Sequence, residues 1–145
     1  MIFMTANDFN RSEESGFDLI GDIHGYADEL IALLEKMGYQ KLDGAYRHAE
    51  RKVIFLGDFV DRGPLQRKVI DVARPMIEQG YALAVMGNHE FNAIAFNTPD
   101  GEGGYLRPHN EKNIRQHGAF LSAYPDAKER TDVINWFKTL PLWLD

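Results

Sequence analysis

Three times in this chain a short apolar run stops at a glycine and is followed at once by a carboxylate or an amide. Phe17-Asp18-Leu19-Ile20 runs into Gly21-Asp22-Ile23-His24-Gly25, Val53-Ile54-Phe55-Leu56 into Gly57-Asp58-Phe59-Val60-Asp61-Arg62-Gly63, and Tyr81 to Met86 into Gly87-Asn88-His89-Glu90. Short apolar runs between turn signals read as buried strands. Between them the period changes. Leu30, Ile31, Leu33, Leu34 and Met37 share one helical face that Gly38 ends, and Val69, Ile70, Val72, Ala73, Met76 and Ile77 repeat the spacing before Gln79-Gly80. Apolar strands alternating with helices predict an α/β fold whose mainly parallel sheet is covered on at least one face. Such sheets bind ligands at the carboxyl ends of their strands, where all three turns fall.

The remaining segments read as connections and helices. Tyr39 to Lys52 is a polar connection whose Asp43-Gly44 pair can join two short strands around Tyr46 and His48, with His48 solvated or on an edge strand. Pro64 is expected in the first turn of the second helix, and Pro75 is expected to kink or shorten it. Phe91 to Phe96 continues as a short helix, and Asn97 to Gly104 is expected as a mobile loop near the site. Its acids are wrongly spaced for calcium, and no strand feeds it for a phosphate cradle. His109 to Tyr124 is expected to be helical with Ile114, Phe120 and Leu121 on its apolar side, and Val133, Ile134, Phe137 and Leu140 mark a last helix. Both Trp136 and Trp143 are expected to pack.

A chain of 145 residues with 44% apolar content can form one domain with a real core. Its formal charge of −6 does not favour broad attraction to a nucleic-acid backbone. The absence of cysteine excludes disulfides, thiolate metal sites and cysteine-nucleophile phosphatase chemistry, and it suits a cytoplasmic location. No apolar run is long enough to span a bilayer. Residues 1–16 lack the basic start and apolar centre of a signal peptide and are expected to form a disordered leader.

Two carboxylates and a guanidinium in a glycine-bounded turn contribute little to stability, so the middle turn is read as chemistry. Each residue has a structural explanation on its own: aspartate and asparagine cap helices, glycines make turns, and histidines fill cores. Three such turns in order favour the chemical reading. Asp22 and His24 are one residue apart and can face the same divalent ion. Asp58 can bridge two ions, and Asn88 can offer an amide oxygen to the second. His89 is placed to protonate a leaving alkoxide with Asp61 holding its imidazole, and Arg62 to clamp phosphate oxygens. Glu90 reads as a helix cap.

The blocks GDIHG at 21–25, GDFVDRG at 57–63 and GNHE at 87–90 resemble the first three signature blocks of the calcineurin-like metallophosphoesterases, in the branch shared by phosphoprotein phosphatases and bacterial relatives. The resemblance spans about residues 17 to 96. It implies an αββα sandwich, a dinuclear site holding two divalent ions (manganese first, iron or zinc otherwise), and hydrolysis of a phosphorylated substrate by a metal-bound hydroxide. It assigns Asp22, His24, Asp58 and Asn88 as ligands, His89 and Asp61 as the acid pair, and Arg62 to phosphate. The substrate stays open among a phosphoprotein, a dinucleoside polyphosphate and a nucleic-acid phosphate end.

The family also carries histidine ligands on later strands, and this chain shows no such block. His109 and His117 lie in loop or helical sequence without a preceding strand and take no ligand role. Residues 17–145 are therefore expected to form the N-terminal part of such a domain, truncated before its C-terminal half. The competing expectation is a non-catalytic metal-binding or interaction module, and a third is that a partner chain supplies the missing half. Oligomeric state is not indicated by the sequence.

Overall fold

Each apolar run forms a strand and each periodic segment a helix. The computed structural model describes residues 16–145, so the expected leader, apart from Gly16, lies outside the described residues. The order is β1 (Gly16–Ile20), α1 (Ala27–Lys36), β2 (Gln40–Leu42), β3 (Ala45–Arg47), β4 (Arg51–Phe55), α2 (Gln66–Glu78), β5 (Ala82–Ala84), α3 (Asn88–Phe96), α4 (Glu111–Ala123) and α5 (Ala127–Phe137). Strands β1, β4 and β5 form one parallel sheet in that order, with Leu19 opposite Ile54 and Ile54 opposite Leu83. The fold is therefore mixed α/β with a mainly parallel sheet. The described residues supply one such sheet and a separate antiparallel hairpin, β2–β3.

Strand alternation decides which face is covered. Ile20, Val53, Phe55, Ala82 and Ala84 point into the core, which continues through Leu30 and Leu34 of α1 and Val69, Ala73 and Met76 of α2. On the opposite face Phe17 and Leu19 are exposed, while Ile54 and Leu83 are half-buried. The acid inside β1 is accommodated by its neighbours. Asp18 accepts from Arg51 Nε at 2.9 Å and from the Tyr39 hydroxyl at 2.9 Å, and Arg51 also donates to the Met37 carbonyl. Burial, and then the Asp18 carboxylate, push the Tyr39 phenol above its ordinary pKa.

Both glycine stops close their helices in the same way. Gly38 and Gly80 take φ of +91° and +80°, and each donates to the carbonyl three residues back, in Glu35 and Ile77. Tyr39 and Tyr81 then donate five residues back, to Leu34 and Met76, completing two Schellman motifs. Asp43 and Gly44 have positive φ, the two-residue turn that β2 and β3 need.

Several expectations require correction. Pro64 precedes the helix N-cap Leu65 rather than sitting in the first turn. Helix α2 is not shortened at Pro75 and runs on to Glu78; the carbonyl that loses its partner belongs to the exposed Asp71, where water can replace it. The buried face of α4 is Asn113, His117 and Phe120, whereas Ile114 is exposed. Trp136 is buried as expected, but Trp143 is 68% exposed. His48 accepts from the backbone of Glu50 and Arg51 and lies tilted against the Tyr39 ring, a local structural role.

Candidate active site

The hydrogen-bond ladder of β1 and β4 continues past the strand ends into their turns. Leu56 N–H donates to Ile20 O at 2.8 Å, His24 N–H to Asp58 O at 2.8 Å, Gly25 N–H to Phe59 O at 2.9 Å, and Gly63 N–H to His24 O at 2.7 Å. The first two turns are thus one backbone unit. A side chain at Gly57 would run into the backbone of Gly87, so the third turn packs directly on the second.

Glu90 ties the third turn down. It is fully buried, and its carboxylate accepts from the backbone N–H groups of Asp58 (2.7 Å), Phe59 (2.8 Å) and Gly87 (3.0 Å). Burial raises its pKa, with the neighbouring Asp58 charge adding to this and the three N–H donors opposing it. The bond to Gly87 is half of a capping box at the start of α3. Glycine has no side chain for the other half, and Asp58 takes that place by accepting from His89 N–H at 3.0 Å. The expected cap role of Glu90 therefore holds, and it reaches across to a second turn.

These turns store strain. Asp22, His24, Asp58, Asp61 and Arg62 all have φ between +45° and +69°. Such conformations cost about 1 kcal/mol or more each and persist where neighbours over-determine them. Gln66, 1% exposed, provides that constraint around Asp61: its Oε1 accepts from Asp61 N–H at 2.8 Å and its Nε2 donates to Gly63 O at 2.8 Å and Asp61 O at 3.1 Å.

The side chains that these turns present converge. His24 Nδ1–H donates to Val60 O at 3.0 Å, which leaves Nε2 as its free ligand atom, and Asp22 Oδ1 lies 3.4 Å from that nitrogen. His24, Asp58 and His89 each offer one ligand atom, all within 4.8 Å of one another. That span is close to the roughly 4 Å separating ligands held at about 2 Å from a single ion. The imidazoles of His24 and His89 meet edge to face with centroids 4.6 Å apart. Nitrogen and carboxylate donors of this kind fit manganese, iron or zinc.

Asp61 is buried and shared by two imidazoles. Its Oδ2 accepts from His89 Nδ1–H at 2.7 Å and its Oδ1 from His117 Nδ1–H at 2.8 Å. Because a carboxylate only accepts, both rings carry their proton on Nδ1. His117 Nε2 is buried without a hydrogen-bond partner. It borders a cavity of about 90 Å³ that Asn88, His89 and Asn113 also line. Arg62 is exposed and faces an adjoining groove of about 310 Å³ beside His89. Every sequence-expected residue thus lies on the three joined turns. Asn88, in the first turn of α3, points to the cavity next to the His24–Asp58–His89 group.

Sequence reasoning missed two contributors. His117 follows no strand in the sequence, yet it falls with Asn113 and Phe120 on the buried side of α4. Gln66 likewise falls on the buried stripe of α2 with Val69, Ile70 and Ala73. In each case the signal was a polar residue at apolar spacing. The 97–104 loop does not reach the site. It is closed by a Pro99–Tyr105 bridge, and His109 stacks between Phe96 and Tyr105, each 3.9 Å away, while donating to Phe96 O. None of residues 97–104 lines either cavity.

The family profile described as "Calcineurin-like phosphoesterase" matches residues 17–144. The chain belongs to the calcineurin-like phosphoesterase family. Among curated relatives of this chain is the asymmetrical bis(5'-nucleosyl)-tetraphosphatase PrpE of Oceanobacillus iheyensis, 44% identical over 73 residues, covering 50% of this chain and 29% of the relative. The symmetrical bis(5'-nucleosyl)-tetraphosphatase of Hamiltonella defensa is 36% identical over 126 residues, 86% of this chain and 38% of the relative. A serine/threonine phosphatase from Saccharomyces cerevisiae with similarity to human phosphatase PP5 shares the fold, with a TM-score of 0.59 at 19% identity over 92% of this chain and 35% of that one. This chain therefore spans well under half the length of these relatives. No helix among its described residues is long and apolar enough to cross a membrane.

Proposed function

We propose that this chain carries the metal-binding and proton-donating half of a phosphoester hydrolase. The observation that supports this most is the pairing of the His89–Asp61 dyad, whose carboxylate is buried, with the His24–Asp58–His89 group on three knitted turns. Asp22, His24, Asp58 and Asn88 would hold two divalent ions, with manganese favoured over iron or zinc. When bound, the ions neutralise phosphate charge and supply a nucleophile at neutral pH. Arg62 binds the non-bridging phosphate oxygens and turns the phosphorus towards the strand ends. His89 keeps its Nδ1–H on Asp61 and passes the Nε2 proton of its imidazolium to the leaving oxygen as the P–O bond breaks. The Glu90 and Gln66 bonds keep the backbone of Asp58 and Asp61 in place during this step. Dinucleoside polyphosphates are the substrate class favoured by the tetraphosphatase relatives, and a cysteine-free chain suits the cytoplasm.

The test is hydrolysis of diadenosine tetraphosphate, p-nitrophenyl phosphate and its bis-ester with manganese and with chelator. Turnover should vanish on chelation. His89→Asn should lower it by about 10²–10⁴-fold, most for the poorest leaving group. A second reading, a metal-binding module without turnover, is favoured by the presence of a single three-residue His/Asp group among the described residues. Retained manganese binding with no hydrolysis of any of the three esters would decide for that module.

A further inference from the structure

Eight arginines fall among the described residues, and six of them are tied down: Arg47, Arg51, Arg67, Arg74, Arg107 and Arg130 each donate to an acid, an amide, a hydroxyl or a carbonyl. The two left over are Arg62 and Arg115, which have no hydrogen-bond or ion-pair partner among the described residues. Both line the same groove, of about 310 Å³, together with His89, Gln116 and Ala119. No carboxylate lines it, in a chain whose formal charge is −6. An unneutralised pair of guanidinium groups facing one groove costs self-repulsion, and an anion removes that cost.

The placement is built into the fold. Arg115 and Ala119 are one turn apart on α4, and α4 is registered against the middle turn by the 2.8 Å bond from His117 to Asp61. That bond brings residue 115 alongside residue 62. Arg62, adjacent in sequence to Asp61, is the phosphate-binding residue of the proposed function, so the groove continues away from the reacting phosphate. A phosphomonoester of a protein side chain offers one phosphate for both guanidinium groups and no separate anion for each. A chain of linked phosphates offers one to each.

We propose that Arg115 forms a second phosphate subsite beside Arg62, selecting substrates that carry two or more linked phosphates. The inference rests on the hydrolase reading for the role of Arg62 but is tested through binding alone. The metal-free 145-residue protein is titrated calorimetrically with inorganic orthophosphate and with tripolyphosphate at fixed ionic strength. Tripolyphosphate should bind more tightly than orthophosphate. Arg115→Ala should weaken tripolyphosphate by about 10-fold or more, the loss of one charge-assisted pair, and should change orthophosphate by less than about threefold. Arg62→Ala should weaken both anions. Arg115 is exposed and has no partner among the described residues, so the variant should fold, and its circular dichroism and melting curve check this.

Unchanged tripolyphosphate binding in Arg115→Ala overturns the inference, as does an equal loss of both anions. If Arg62→Ala still weakens orthophosphate in that case, the phosphate site stands and only the second subsite fails. Conversely, tripolyphosphate binding that depends on Arg115, in a protein that hydrolyses none of the esters, supports the subsite and counts against the hydrolase.

Discussion

Glu90 shows how one side chain can hold a site without entering its chemistry. Its two oxygens satisfy three N–H groups from two different turns. Glu90→Gln keeps one acceptor and turns an NH₂ group against a backbone donor. It should cost about 1–3 kcal/mol in urea unfolding, the penalty for a buried group left unpaired. Surface acids such as Glu102 should be nearly neutral when changed in the same way. A second expectation concerns proton positions. With Asp61 accepting on both oxygens, His89 and His117 should both appear as Nδ1–H tautomers in long-range ¹⁵N–¹H spectra of the metal-free protein, against the usual preference for Nε2–H. A ring whose Nδ1 carries no proton would contradict the shared carboxylate. The sequence showed one half of this arrangement, because Asp61 and His89 lie in recognisable turns. It hid the other half, because Ile114, Phe120 and Leu121 mark the apolar side by residue type, whereas the buried stripe runs through Asn113, His117 and Phe120 and leaves Ile114 exposed.

At the level of elements, the strands, helices and glycine stops could all be read from periodicity, while helix beginnings could not. Helix α3 starts at Asn88 rather than Phe91, because Asp58, which belongs to another turn, caps it alongside its own Glu90. No pattern within residues 88–96 reveals a cap that sits in another turn. The glycines give a paired test of this picture. Gly38 and Gly80 have φ of +91° and +80°, whereas Gly118 lies inside α4 with open space where a Cβ would go. Gly38→Ala and Gly80→Ala should each destabilise by about 1–2 kcal/mol, the cost of a left-handed conformation with a Cβ. Gly118→Ala should stabilise by about 0.5–1 kcal/mol through helix propensity. Denaturant midpoints for the three variants, at unchanged m, would show both signs, and three shifts of one sign would refute the cap assignment.

At the scale of the whole molecule the parallel sheet is covered unequally. One face packs under α1 and α2, and the other presents Leu19 at 66% exposure, Phe17 at 46% and Leu56 at 46%, next to half-buried Ile54 and Leu83. Among the described residues β1 is also an edge strand, so backbone without a strand partner there adjoins an apolar surface. Contiguous exposed apolar area of this kind drives association. The prediction is that the 145-residue protein self-associates weakly through this face, seen as a mass that rises with concentration in sedimentation equilibrium. Leu19→Lys with Leu56→Lys should return it to a monomer. Both side chains are already solvated, so the melting temperature should barely move, within about 0.5 kcal/mol of stability per site. If the double variant associates as strongly as the parent, another surface is responsible. If it unfolds, these leucines contribute to the core and the face is not open.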